Sequence, residues 1–459
     1  AVSCCNQSNF FSEDNVVNAS TFYDILTPGF ECAGVSDIVP TTSIGAVAEW
    51  GYEFHAFAAS NPAFKSSPCV KLTMATLKEN GITPQTKAQA LMMMNVYFDC
   101  RTRVAQNGTN TKIFELIGHY YYGALGAQRG QTAVVATEIQ ENINSIQAHF
   151  ALTRGAARQY NIPFAVDVSP WDVGYITDYS TSRFWGQASS AGGDGGHSLS
   201  LFKRSWYLSY LSGANHLIAE AGAVNLFYEN KTSDGVMTLS PLGDLARGFA
   251  EFTRVVESEE RPIPYVPFAL VLEHAHGFGL SLVGGSAPTT WDTFPMTSSD
   301  QVAWSLMQTL WPGSWEIKSK GVGAESNYLV PSPYSDAFDI IAETNFTASL
   351  SGKYRVAITA GKITLGASQI AALRGWVCGG GTAVVFASQL VVNDSATAEF
   401  IGATLLATPP MYPTLAVVFD HETGWTHNRS NVGEENNNHN NNHNDHNNNH
   451  NTNKDNDNN

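Results

Sequence analysis

The sequence predicts a mixed α/β fold, namely a (β/α)8-type barrel that is incomplete or irregular in its N-terminal part, then a flavodoxin-like α/β domain and a disordered Asn/His-rich tail. Three observations lead to this prediction. Short apolar runs alternate with amphipathic segments in the middle of the chain, a smaller alternation follows, and the last residues are mostly Asn and His. Strands that alternate with helices form parallel sheets. A chain of 459 residues has room for two such domains.

Five apolar runs in the middle of the chain predict buried strands. They lie at residues 112–120, 132–138, 163–169, 215–220 and 267–273. Helical spacing between these runs predicts helices at 145–159, 197–211 and 241–256. A complete barrel needs about 200 to 250 residues, and few strand signals precede Lys112. We therefore expect the early strands to be short, irregular or absent.

A second alternation begins after the proline-containing segment at 261–264. It predicts strands at 337–342, 353–359 and 382–387, with helices at 300–310 and 368–375. The Asn/His-rich end supplies no apolar surface, so we expect it to be disordered. Four segments follow from these patterns. They are a Cys-containing N-terminal arm at 1–50, a β/α barrel at 51–262, an α/β domain at 263–425 and the tail at 426–459.

The charge balance excludes one class of partner. Lys and Arg total 25 against 41 for Asp and Glu, the net charge is -16, and the sequence has no basic block. Nucleic-acid binding needs a positive stripe, so we predict no nucleic-acid partner. The sequence has no run of 18 apolar residues, which predicts no membrane span. No metal-spaced Cys pair occurs either, and we predict no cofactor and no metal site.

Cysteines and glycosylation motifs favour a secreted or extracellular protein. Five of the six cysteines lie in the first hundred residues and are disulfide candidates: Cys4, Cys5, Cys32, Cys69 and Cys100. The alternative for these cysteines is a set of buried free thiols. Asn-x-Ser/Thr motifs, which carry glycans in secreted proteins, start at Asn6, Asn18, Asn107, Asn230, Asn345, Asn393 and Asn428.

Several segments resemble large TIM-barrel glycoside hydrolases related to the β-galactosidases. The segments are 137–144, 154–160, 196–201, 206–210, 212–215, 239–243, 249–255 and 267–271. The resemblance covers roughly residues 110 to 400. It implies a carbohydrate substrate. It also implies that the second domain is glutamine-amidotransferase-like, of the trimerisation type, and lacks amidotransferase chemistry.

Glycosidic bond cleavage needs two carboxyl groups that flank the bond. Glu138 and Glu220 each follow an apolar run directly, so each is expected at the rim of the barrel, where active sites of this fold lie. We assign Glu138 as general acid/base and Glu220 as nucleophile, and the reverse order stays open. Glu141 competes with Glu138, because it lies just past the same strand, although it would also suit a helix N-terminus.

Other polar and aromatic residues near the predicted rim suit sugar binding, through hydrogen bonds or ring stacking. With Glu141, the predicted substrate-binding residues are His119, Tyr120, Asp167 and Trp171. Each would alternatively be a polar group satisfied within the core. Arg154 and Arg158 lie four residues apart on a helix, and we expect them to pair with carboxylates behind the barrel.

Two functions from different classes therefore remain open. One is a secreted glycoside hydrolase that cleaves a polysaccharide or oligosaccharide by a two-carboxylate mechanism. The other is an extracellular structural glycoprotein that assembles into homo-oligomers or filaments and is built on a degenerate glycosidase fold. The Cys-containing arm, the weak early strands and the tail favour the second, since one fold serves many functions.

Overall fold

The structure is a computed structural model in which part of the chain is described. The described residues are 23–25, 38–41, 69, 71–72, 75, 86, 92, 95–96, 98–100, 103, 112–115, 120–139, 146–168, 199–220, 227–231, 237–239, 241–258, 261–274, 289–290, 294–312, 332–334, 336–391, 393–401, 417–420 and 424–427. The chain divides into two contact units, residues 1–428 and 429–459. All described residues belong to the first unit. Of the predicted tail at 426–459, Thr426 and His427 are described and end a strand, so the ordered part extends past the predicted start of the tail, and residues 428–459 lie outside the described residues.

The described part of the first sheet has six strands and is mainly parallel. Its members are β1 (Tyr23–Ile25), β2 (Ile38–Thr41), β3 (Lys112–Glu115), β4 (Thr132–Ile139), β5 (Phe164–Val168) and β6 (His216–Glu220). Their order is β1-β6-β5-β4-β3-β2, and only β1 runs antiparallel to its neighbour. Among these described strands β1 and β2 form the two edges. The described part is therefore an open mixed sheet.

In the described part of the chain, four helices accompany this sheet. They are α1 (Tyr120–Gln128), α2 (Ile146–Tyr160), α3 (Leu199–Leu211) and α4 (Pro241–Ser258). A hairpin of β7 (Phe227–Lys231) and β8 (Met237–Leu239) precedes α4. The predicted strand at 112–120 differs from the structure, because β3 ends at Glu115 and Tyr120 begins α1. A continuous apolar run does not by itself separate strand from helix, which explains the difference.

The second part of the chain forms another mixed sheet. Its elements in chain order are β9 (Phe268–Leu272), β10 (Thr289–Thr290), β11 (Phe294–Pro295), α5 (Ser298–Leu310), β12 (Phe338–Ala342), α6 (Phe346–Leu350), β13 (Val356–Ala360), α7 (Ala367–Cys378), β14 (Thr382–Val385), α8 (Ser395–Ile401), β15 (Val417–Asp420) and β16 (Gly424–His427). The sheet order is β12-β9-β13-β14-β15-β16, and β10 pairs with β11 in a separate two-stranded sheet. The first four strands are parallel and follow the order 2-1-3-4, which is also the flavodoxin-like order.

Helix α2 lies between the two sheets and contacts both. Its residues Ile146 and Phe150 belong to the apolar core of the first sheet, whereas Ala148 and Ala151 belong to a core shared with β9 and β12. A Cβ at Gly155 would collide with the backbone carbonyl of Ile340. The absence of a side chain at Gly155 therefore lets the helix backbone approach the strand directly.

Buried ion pairs fasten α2 to β12. Arg154 Nε lies 2.7 Å from Asp339 Oδ1, and its Nη1 lies 2.7 Å from Asp336 Oδ2. Arg158 Nη1 lies 2.7 Å from the other oxygen of Asp339, which also accepts from Tyr354 OH at 2.8 Å. Burial disfavours the charged guanidinium of Arg154, but Asp339 and Asp336 more than offset this, and its pKa is raised. The expected pairing of both arginines with carboxylates is confirmed.

Two further features concern the expected environment of the protein. Cys69 and Cys100 form a disulfide with their Cα atoms 5.4 Å apart, whereas Cys4, Cys5 and Cys32 lie outside the described residues. No helix in the described part of the chain is long and apolar enough to cross a membrane. The domain boundary predicted at 262/263 falls in the segment between α4 and β9 and stays a prediction.

Candidate active site

The register of three neighbouring strands brings two of the predicted acidic positions side by side. The Cα of Glu138 on β4 pairs with that of Asp167 on β5, and Asp167 pairs with Ile218 on β6. Glu220 lies two residues beyond Ile218, at the end of β6. Paired residues and residues two apart lie on the same face of a sheet. Positions 138, 167 and 220 therefore share one face, at the carboxyl ends of parallel strands.

The opposite face of the same strands is the apolar one. Val166 and Leu217, which are Cα partners, belong to the core that contains Trp206 of α3 and Phe249 of α4. Thr137 lies in the same row, and its hydroxyl is 3.3 Å from Nδ1 of buried His149. This face is covered by helices α3 and α4, and the acidic positions lie on the other face.

The acidic face is lined by small and polar residues where the structure describes it. Ala136, Ala165 and His216 form one row across the sheet, and Glu138, Asp167 and Ile218 form the next row. The two alanines are fully buried.

Asp167 is an acidic residue in an unusual place. It is only 2% exposed, and Asp is almost never fully buried without a compensating partner. The strands β4, β5 and β6 contain no Lys or Arg. A carboxyl group buried near the end of a strand, on the face that carries the other two acidic positions, is a candidate functional group.

His216 is the residue of this face that the sequence reasoning missed. Burial lowers its pKa to about 4, so the imidazole is neutral at pH 7 and adds no positive charge. His216 and Glu220 lie four residues apart on one strand, and period-two alternation puts both on the same face. The sequence contains this four-residue spacing. The spacing places His216 in the candidate site only once β6 is known to lie beside β5.

The structure describes the other predicted site residues to different extents. Tyr120 begins α1, and only its backbone is described. The backbones of Glu138 and Glu220 are described, whereas their side chains are not. His119, Glu141 and Trp171 lie outside the described residues. Of the predicted site residues, Asp167 is the one with a described side chain, and the site is therefore built around it.

The glycosylation motifs are described at three places. Asn345 and Asn393 are both exposed and both have positive φ angles, of 55° and 53°. Asn230 lies in β7, where only the backbone is described. Asn6, Asn18, Asn107 and Asn428 lie outside the described residues.

A second group of acidic residues follows the strands of the second sheet. The Glu273 carboxylate accepts a hydrogen bond from the backbone N–H of Lys362 at 3.1 Å. The Glu343 carboxylate accepts one from the backbone N–H of His274. Within the described part of the chain, no group of His, Cys, Asp and Glu is arranged to hold a metal ion. These carboxylates bond to the backbone of neighbouring loops, which is a structural role.

Comparisons with known proteins give a weak likeness. No protein-family model matches the chain, and a search of curated proteins gives no significant match. An α-L-fucosidase isoenzyme 2 from Paenibacillus thiaminolyticus has 15% identity and a TM-score of 0.37, over 68% of this chain and 38% of that chain. Gan42B, a GH42 β-galactosidase, has 11% identity and a TM-score of 0.35, over 82% of this chain and 54% of that chain.

The chain thus spans 38% and 54% of the lengths of these two enzymes. Both TM-scores are low, so the likeness by itself assigns neither the fold nor the activity. Any function has to be argued from the residues of this chain.

Proposed function

We propose that the protein is a secreted glycoside hydrolase that cleaves an O-glycosidic bond of a polysaccharide or oligosaccharide with carboxyl groups at the ends of β4, β5 and β6. The observation that carries the proposal is the strand register, which puts positions 138, 167 and 220 on one face. Glycoside hydrolysis needs two carboxyl groups on either side of the bond. A row of acidic positions above small buried residues suits that requirement.

In this proposal Glu138 is the general acid and Glu220 is the nucleophile or the base that activates water. Adjacent strands are about 4.8 Å apart and residues rise about 3.3 Å, so two strands and two residues separate the Cα atoms by about 12 Å. Both side chains are long enough to reach toward a sugar lying between them. The separation therefore leaves room for a substrate in either the retaining or the inverting mechanism.

Substrate binding is assigned to polar and aromatic residues that lie in or just after the predicted strands in the sequence. Carboxylates accept hydrogen bonds from sugar hydroxyls, and aromatic rings stack on sugar C–H groups. The proposed binding residues are His119, Tyr120, Glu141, Asp167 and Trp171, as the sequence predicts.

The secreted location has its own support. Asn345 and Asn393 are exposed, so their motifs are accessible to glycosylation, and the Cys69–Cys100 disulfide suits an oxidising compartment. Peptide mapping of protein from its native source should find glycans at these two sites and an intact disulfide. Bare asparagines together with free thiols would contradict secretion.

The acid role of Glu138 is tested by varying the leaving group. The wild-type protein and Glu138→Ala would be compared on aryl glycosides with good and poor leaving groups. The variant should lose much less rate on the good leaving groups, because these need little protonation as they depart. Equal losses on both kinds of substrate would remove Glu138 from the acid role. The exposed Glu251 of α4 provides the control, since Glu251→Gln should behave like wild type on both.

A further inference from the structure

We propose that α2 takes the place of a further strand at the outer edge of β12, and that the two sheets therefore unfold as one cooperative unit. In this arrangement the sheet after residue 262 belongs to the same folding unit as the strands that carry positions 138, 167 and 220. The inference does not rest on the proposed function, because it concerns the folded chain and is measurable without a substrate.

The backbone of β12 shows which of its residues face outward. Glu343 N–H donates to Leu272 O at 2.9 Å, so the backbone of this position faces β9. Alternate residues of a strand point their backbone N–H and C=O groups to opposite edges. Phe338, Ile340 and Ala342 therefore point away from β9. In the described part of the chain, no strand pairs with this outer edge.

Side chains of α2 make the hydrogen bonds that a neighbouring strand would make at this edge. Gln159 Nε2 donates to Ala342 O at 2.9 Å, and Gln159 Oε1 accepts from Ala342 N–H at 3.0 Å. Arg154 Nη2 donates to Phe338 O at 3.0 Å. Gly155 lies between them and lets the helix backbone come this close. An open strand edge is a template for further pairing, and α2 occupies this one.

The polar groups of this contact are buried. Gln159 is 8% exposed, Arg154 is 2% exposed and Asp339 is fully buried. Buried polar and charged groups that lose their partners carry a large desolvation cost. Moving α2 away from β12 would strand the charge of Asp339 and the backbone groups of Ala342 at the same time. The contact therefore opens only together with the structure on both sides of it.

The second part of the chain also holds the C-terminal end of α2. Lys353, which precedes β13, donates through Nζ to Arg158 O and, at 2.6 Å, to Asn161 Oδ1. Arg158 Nη2 donates in return to Lys353 O at 2.9 Å, and its Nη1 donates to Val266 O at 3.2 Å. The last carbonyl groups of a helix have no partner within the helix. Lys353 supplies one from the second part.

An apolar core crosses the same contact. It combines Ala148 and Leu152 of α2 with Leu270 of β9, Met307 of α5 and Ile340 of β12. A domain that folds alone has its own core. Separating the two parts of the chain would instead expose apolar surface on both of them. This shared core adds to the hydrogen bonds and ion pairs in joining the two sheets.

The position of α2 in the chain extends the coupling to the first sheet. The helix connects β4 to β5, and its other face belongs to the core of the first sheet. A substitution in either sheet should therefore lower the free energy of unfolding of both sheets by the same amount. The segment at 262/263 then joins two parts of one folding unit.

The test compares amide hydrogen exchange in the two sheets of the full chain by mass spectrometry, because the slowest amides exchange only when a cooperative unit unfolds. Leu373 of α7 is fully buried in a core whose described members all follow residue 262. Leu373→Ala should accelerate the slowest amides of β13 by about thirtyfold or more, the factor that corresponds to a cavity of this size. The slowest amides of β5 should accelerate by the same factor.

A reciprocal variant and a control complete this comparison. Leu217→Ala, on β6 in the core of the first sheet, should accelerate β13 as much as β5. Arg247→Met removes an exposed ion pair of α4 and should change neither sheet appreciably. If Leu373→Ala does not fold, Ile370→Val in the same core gives the comparison at about two- to tenfold. Faster exchange confined to the sheet that carries the substitution would overturn the proposal.

Gln159→Leu tests the edge contact itself. The backbone groups of Ala342 lose their buried partner in this variant, so the slowest amides of β5 and β13 should both accelerate by about fivefold or more. Exchange at the wild-type rate in both sheets would show that α2 does not serve as the partner of this edge. None of these readouts needs a substrate, so the absence of glycosidase activity would remove the proposed function and leave this inference standing.

Discussion

Asp167 is the residue on which the candidate site depends most. The sequence predicts Asp167, Glu138 and Glu220 as strand-ending acids because each follows an apolar run. It does not predict that Glu138 lies beside Asp167 rather than beside Glu220. That fact depends on which strands are neighbours and on their register, and both are fixed by contacts between residues far apart in the chain. His216 was missed for the same reason.

Two histidines, the buried His149 and the half-buried His216, give a prediction at the residue scale. Burial lowers the pKa of His149 and of His216 to about 4 in each case. In NMR titrations, neither imidazole should change its chemical shift between about pH 8 and pH 5.5, where an exposed histidine titrates near 6.5.

The corresponding stability change has a definite sign. The unfolded chain binds protons at these histidines below about pH 6.5 while the folded chain does not, so they lower stability as the pH falls toward 4. An imidazole that titrates near pH 6.5 in the folded protein would contradict its burial.

At the scale of elements, helix α2 has the most constrained position. It connects β4 to β5, and it packs on the first sheet and on β12 at the same time. The sequence predicts the helix and the pairing of its arginines with carboxylates. It does not identify Asp336 and Asp339 as the partners, because they come from the other part of the chain. The strands that carry Glu138 and Asp167 are thus held by a helix anchored on the second sheet.

The close contact at Gly155 predicts a large effect of a single methyl group. Gly155→Ala would push a Cβ into the carbonyl of Ile340, and overpacking of this kind costs about 1–3 kcal/mol or more. Gly248→Ala on α4 is the matched control, since its Cβ meets nothing and Ala favours a helix over Gly by about 1 kcal/mol. Chemical denaturation should show opposite signs for the two variants. If Gly155→Ala left the free energy of unfolding unchanged, α2 and β12 would have to lie farther apart than the contact between Gly155 and Ile340 requires.

The ion pairs of α2 give a second prediction at this scale. Arg154→Met removes the guanidinium that pairs with both Asp336 and Asp339, and breaking a buried pair from one side costs about 3–5 kcal/mol. Arg247→Met is the control, because its pair with Asp244 is exposed on both sides and such pairs contribute about 0–1 kcal/mol. Similar losses of unfolding free energy in both variants would contradict the burial of the Arg154 pairs.

At the scale of the whole molecule, two mainly parallel sheets share one contact unit. The sequence predicts both strand–helix alternations, because apolar runs and helical spacing are local signals. The order of the strands depends on contacts between residues far apart in the chain, which local patterns do not show. The described strands of the first sheet form an open sheet, so the closed barrel stays a prediction. The proposed activity depends on this arrangement, since only the sheet brings residues 138, 167 and 220 to one face.

The activity of two carboxyl variants tests the proposed function most directly. Wild type, Glu138→Gln, Glu220→Gln and Glu251→Gln would be assayed on a panel of aryl glycosides, with folding checked by circular dichroism. The first two variants should lose at least about a hundredfold in kcat/KM, since each removes a proton donor or a charge from the reaction, while Glu251→Gln should match wild type. Hydrolysis by folded Glu138→Gln and Glu220→Gln within about tenfold of wild type would contradict the proposed catalytic site.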